Sequence, residues 1–103
     1  VFPPVQIEPA TTPTIFNVAM PSGNTEYSQA LPANTKKFTV SLRESDATYR
    51  LAFEAGRVAA PTAPFLAVPV GGQYFEDHVR LTGMTLFFAC PVAGKNVQII
   101  AWV

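Results

Sequence analysis

The closing stretch Asn96-Val97-Gln98-Ile99-Ile100-Ala101-Trp102-Val103 constrains this chain more than any other. Apolar side chains occupy nearly every position, and the residue types are those of a strand. Successive side chains on a strand point to opposite faces. A strand apolar on both faces must be covered on both, by its own domain or by a neighbour.

The segments before it agree with a layered all-β domain. Phe38, Val40 and Leu42 alternate with Thr39, Ser41 and Arg43, and Tyr49, Leu51 and Phe53 alternate with Arg50, Ala52 and Glu54. Both read as half-buried antiparallel strands, and the short connection Ser45-Asp46-Ala47 makes a hairpin of them. Further strands are expected over Thr14–Met20, Thr25–Leu31, Phe65–Val70 and Met84–Cys90, with turns at Pro21-Ser22-Gly23-Asn24, Pro32-Ala33-Asn34, Gly71-Gly72 and Pro91-Val92-Ala93-Gly94. Pro69 sets the Phe65–Val70 strand at an edge or ends it. Tyr74–Leu81 suits either one helical turn or an extended piece, with Phe75 and Val79 buried. Seven to eight short strands with regular turns predict an antiparallel β-sandwich, jelly-roll-like, over 14–103. Residues 1–13 carry four prolines and form an extended N-terminal arm. Phe2, Val5 and Ile7 among those prolines suggest an arm that lies on a neighbour.

At 103 residues the chain is one domain. Its net charge is zero and only 14% of residues are charged, so electrostatics protect it weakly against association. Lys36-Lys37 is the sole basic pair, which argues against nucleic acid. No apolar run approaches the ~20 residues of a membrane-spanning helix. The chain opens on Val1, as removal of an initiator methionine or trimming of a precursor would leave it.

Candidate chemistry is thin. Glu76, Asp77 and His78 could be drawn as a metal or acid–base site, but one strand supplies too few ligands for zinc. Glu44 and Asp46 could form a carboxylate pair, and equally are ordinary turn residues. Cys90 alternates with Leu86 and Phe88 as a small core residue. No nucleophile elbow or phosphate loop is present. The expectation is no enzyme, no metal and no cofactor. Phe38, Phe53, Phe65, Phe88 and Tyr49 fit core positions. Phe87 and Trp102 lie on the opposite faces of their strands, to pack as a second core layer, to meet a partner, or to stack sugars or bases.

The run Glu26-Tyr27-Ser28-Gln29-Ala30-Leu31-Pro32-Ala33-Asn34-Thr35-Lys36-Lys37-Phe38, with Arg43, Tyr49-Arg50-Leu51-Ala52-Phe53, Gly71-Gly72-Gln73-Tyr74, Leu81-Thr82-Gly83-Met84-Thr85-Leu86-Phe87-Phe88 and Ile99-Ile100-Ala101-Trp102, resembles small structural proteins of tailed bacteriophages. The resemblance covers about Glu26 to Trp102 and carries no catalytic signature. It implies a sandwich or jelly-roll domain of the virion, a capsid decoration (cement) protein that braces major capsid subunits, commonly as a homotrimer. It implies assembly in the host cytoplasm and a place on the capsid surface. On that reading Val1, Phe2, Pro3, Pro4, Val5 and Ile7 grip the capsid or a neighbour, while Phe87, Ile100 and Trp102 support the second core layer or the subunit interface. A dozen extended residues reach ~40 Å. A head–tail connector, a tail protein or a fibre base is the alternative within the virion, and a carbohydrate-binding module using exposed aromatics is the alternative outside it.

Overall fold

The alternation of residues 37–42 decides the architecture. Phe38, Val40 and Leu42 are buried and the residues between them are half-buried, so this strand packs its apolar face on a second layer. The structure, a computed structural model, describes residues 12–76, 79 and 81–103. The proposed arm therefore lies, except for Thr12 and Pro13, outside the described residues.

The described residues form eight strands: β1 (Pro13–Met20), β2 (Tyr27–Ala30), β3 (Lys37–Leu42), β4 (Tyr49–Ala52), β5 (Leu66–Val68), β6 (Gln73–Glu76), β7 (Thr85–Ala89) and β8 (Lys95–Trp102). Among the described residues there is no helix. Sheet A has the order β1-β8-β3-β6 and sheet B the order β2-β7-β4-β5. The antiparallel pairs β1:β8, β2:β7, β3:β6 and β4:β5 nest inside one another, as in a long ribbon folded over on itself. That is the eight-stranded jelly roll. The chain changes sheet at every connection except β4 to β5.

One local expectation fails for this reason. Residues 36–44 and 48–54 do not form a hairpin: β3 pairs β6 and β8, while β4 pairs β5 and β7. Two strands with one apolar face each can lie side by side or face each other across a core, and alternation alone does not distinguish the two. Here they face each other. Ser45, at φ 54°, turns the chain across the sandwich and donates from both its amide and its hydroxyl to the Leu42 carbonyl.

The core between the sheets gathers Met20, Phe38, Val40, Leu42, Tyr49, Leu51, Leu86, Phe88, Cys90, Val97, Ile99 and Ala101. Phe53 and Phe65 do not join it. They are 47% and 36% exposed, because β4 ends at Ala52 and β5 begins only at Leu66, which leaves both rings at the rim. Phe53 there meets Tyr74, with ring centroids 6.1 Å apart. Gln73–Glu76 is extended, so Phe75 points away from the core and is 60% exposed instead of buried.

Candidate interaction surface

The outer faces of the two sheets differ. On sheet B the long β4–β5 connection folds back over the strands. Val58 from that loop is fully buried against Ala52, Ala89 and Phe87. Arg50 fastens the loop: its Nε donates to the Val58 carbonyl at 2.6 Å, and its Nη2 to the Ala59 carbonyl at 3.3 Å and to Asn24 Oδ1 at 2.7 Å. Phe87 takes part in this second apolar layer.

Sheet A carries no such cover among the described residues. Register sets Ile15 opposite Ile100, Ile100 opposite Thr39, and Thr39 opposite Phe75. Residues directly opposite on antiparallel strands share a face, so these four form a row across the whole sheet. Ile15 is 63% exposed, Phe75 is 60% exposed, and Ile100 between them is half-buried. Toward the start of β1 the next row is Pro13, Trp102 and Lys37, with Lys37 Nζ 5.8 Å from the centre of the Trp102 ring. Toward the other end the row is Asn17, Gln98, Ser41 and Gln73. There Arg43 Nη2 and Gln98 Nε2 donate to Asn17 Oδ1 at 3.1 and 3.3 Å. The face grades from apolar, where residues 1–11 join the domain, to polar.

Ile100 and Trp102 lie on this outer face of sheet A, where Ile15 and Phe75, not singled out from the sequence, dominate the exposed area. Val1, Phe2, Pro3, Pro4, Val5 and Ile7 lie outside the described residues, as do Asp77 and His78.

The remaining polar candidates serve the fold. Glu44 accepts from the Asn96 amide at 3.0 Å and from Asn96 Nδ2 at 2.8 Å, and these bonds hold its carboxyl below the usual range. A general acid needs the opposite shift. Asp46 pairs with Lys95 at 2.9 Å. Glu76 accepts from the Tyr74 hydroxyl at 2.6 Å. Cys90 is buried, its Sγ donating to the Thr48 carbonyl and accepting from the Val92 amide, each at 3.4 Å. No group of three potential metal ligands occurs among the described residues. A groove of about 200 Å³ beside Leu51, Phe53, Glu54, Pro64, Phe65 and Leu66 is open and apolar, and smaller than a usual ligand pocket.

Comparison of the chain with protein-family models, with curated proteins and with solved structures finds no match.

Proposed function

We propose that this chain is a structural protein of a tailed-phage particle that decorates the capsid shell and braces neighbouring major capsid subunits as a homo-oligomer. The observation that carries the reading is the uncovered row on sheet A, with Ile15 and Phe75 in water at its two ends. Contiguous exposed apolar groups mark docking surfaces. Jelly rolls are frequent in capsid domains, which supports the reading by analogy of fold alone. The resemblance of the segments within Glu26–Trp102 to small tailed-phage structural proteins supports it from the sequence side.

The physical action is simple. A protein that binds the assembled shell, and not its dissociated subunits, stabilises the shell by mass action. The apolar row supplies the desolvated centre of the contact, the Asn17–Gln98 row its polar rim, and residues 1–11 a reach toward an adjacent subunit, Thr12 and Pro13 being paired with β8 and the residue after it. Shells purified without this protein should bind it. Ile15→Asp with Phe75→Asp should weaken that binding at least about tenfold while the melting temperature holds. Deletion of residues 1–11 tests the arm separately. Full binding by the double variant removes the sheet A face from the mechanism, and absence of the chain from purified particles removes the virion reading. Copy number per particle separates a shell component, which is abundant, from a connector or fibre base.

A sugar-stacking platform at Trp102 is disfavoured by Lys37, whose ammonium already lies over that ring. Glycan binding lost in Trp102→Ala would reverse this judgement.

A further inference from the structure

Among the described residues four strands border the two sheets, and three of them are guarded. β2 has four residues, β5 has three and lies between Pro64 and Pro69, and β6 has four and ends on Glu76. Shortness, proline and charge are what keep sheet edges from pairing with other chains. β1 is eight residues long and contains no charged side chain.

Its backbone parity is fixed. Thr12 and Val103 exchange both hydrogen bonds, N to O at 3.4 and 2.9 Å, and the Met20 carbonyl accepts from the Gly94 amide at the other end. Antiparallel pairing alternates between bonded and non-bonded pairs, so residues 12, 14, 16, 18 and 20 turn their backbone groups to β8. Ile15, Asn17 and Ala19 turn theirs to the open edge. The residues of the same parity beyond them are Pro13 and Pro21, neither of which has an N–H. The outward set is therefore symmetric about Asn17 and closed by proline at both ends.

We propose that two copies of this chain join edge to edge through β1, antiparallel about a two-fold axis at Asn17, making one continuous eight-stranded sheet. In this register Asn17 bonds Asn17 of the partner subunit, and Ile15 bonds Ala19 of the partner subunit. Every outward N–H and C=O of the three residues is then satisfied. A slip of two residues, the smallest that keeps the outward groups facing each other, sets a proline opposite Ala19 or Ile15 and leaves a carbonyl without a donor. On the inner face, Phe16 and Val18 are only half-buried at the edge of the core. The same register sets Phe16 against Val18 of the partner subunit, an aromatic with a β-branched side chain, and carries the apolar layer across the seam. Such a contact is self-complementary and closes at two copies, where the phage resemblance implies three. It is independent of what the assembled species docks on.

The mass of the full chain in solution, measured across a concentration series, tests the proposal. A dimer is expected. Ala19→Pro removes an outward N–H and leaves the β1–β8 ladder intact. It costs two bonds per dimer and should weaken association about 30-fold. Asn17→Lys sets two like charges face to face on an unchanged backbone and should also give monomers. Asn17→Cys should cross-link to itself on oxidation, since bonded pairs lie about 5.5 Å apart at Cα, within disulfide range, while Ile15→Cys should not. A monomer at all concentrations, or a trimer or dimer unaffected by Ala19→Pro and Asn17→Lys, overturns the proposal.

Discussion

The Tyr49 hydroxyl of sheet B donates to the Val40 carbonyl of sheet A at 3.0 Å, across the centre of the sandwich. This bond joins the two strands that the chain places on opposite sides of the Ser45 turn. Tyr49→Phe keeps the ring and removes the bond, and should lower stability by about 1–2 kcal/mol. At about 4–8 °C per kcal/mol for a domain of this size, a thermal melt will register it.

Burial pushes the Tyr49 phenol up from 10.0 to about 12. Between those values the unfolded chain has released the proton that the folded chain keeps. The contribution is whole below pH 10 and declines as pH rises toward 12. Denaturant midpoints should therefore fall between about pH 10 and pH 12, and fall less in Tyr49→Phe. Tyr74, raised to about 12 by burial and then by its bond to Glu76, should ionise in the same late phase of a tyrosinate absorbance titration.

Arg50 holds the β4–β5 loop by its backbone carbonyls, and Val58 fills the space beneath. Arg50→Ala should cost about 2 kcal/mol, since bonds from a charged donor are the stronger kind. Freed from its tether, the loop should be cut at Arg57 by trypsin several-fold faster than in the parent chain, while the β1–β8 ladder is unaffected.

Gly23 and Gly83 make a matched pair. A Cβ on Gly23 would stand 2.6 Å from the Pro91 carbonyl oxygen, where the β1–β2 turn packs on the β7–β8 turn and Asn24 donates to Cys90. Gly23→Ala should destabilise by about 1–3 kcal/mol, as overpacking against backbone does. At Gly83 a Cβ meets nothing within 4 Å, so Gly83→Ala should stay within about 0.5 kcal/mol.

Glu44 ties the Ser45 turn to the start of β8 through Asn96. Its carboxyl is held low by those bonds, first by the Asn96 side chain. The stabilisation is complete above the ordinary carboxylate range and is lost as pH falls through the lowered value. Glu44→Gln should flatten the acid limb of the stability profile, measured by urea midpoints from neutral pH downward.

The strands were legible because their information is local. Phe38-Val40-Leu42 and Tyr49-Leu51 alternate within one segment, and Pro69 marks the end of β5 next to it. Which strands are neighbours is not local. The face shared by Ile15, Ile100, Thr39 and Phe75 comes from segments far apart in sequence, so neither Ile15 nor Phe75 stood out before the strand order was known. Phe53 misled for a related reason, continuing the Tyr49–Leu51 alternation one step past the end of β4, whereas Phe65 stands just before β5 and on the parity opposite the buried Val68. Val58 gave no signal at all, a lone valine in a Gly- and Pro-containing loop, since its burial depends on that loop folding back over sheet B.

That fold-back gives the domain two unlike sides. Sheet B is roofed by its own chain and sheet A, among the described residues, is not, so in any array built on sheet A every copy would present the β4–β5 loop outward, in the same orientation. The crown of that loop, Ala60 to Pro64, is exposed throughout. A peptide grafted at Thr62 would then be displayed to solvent on every copy, at the spacing of the lattice beneath.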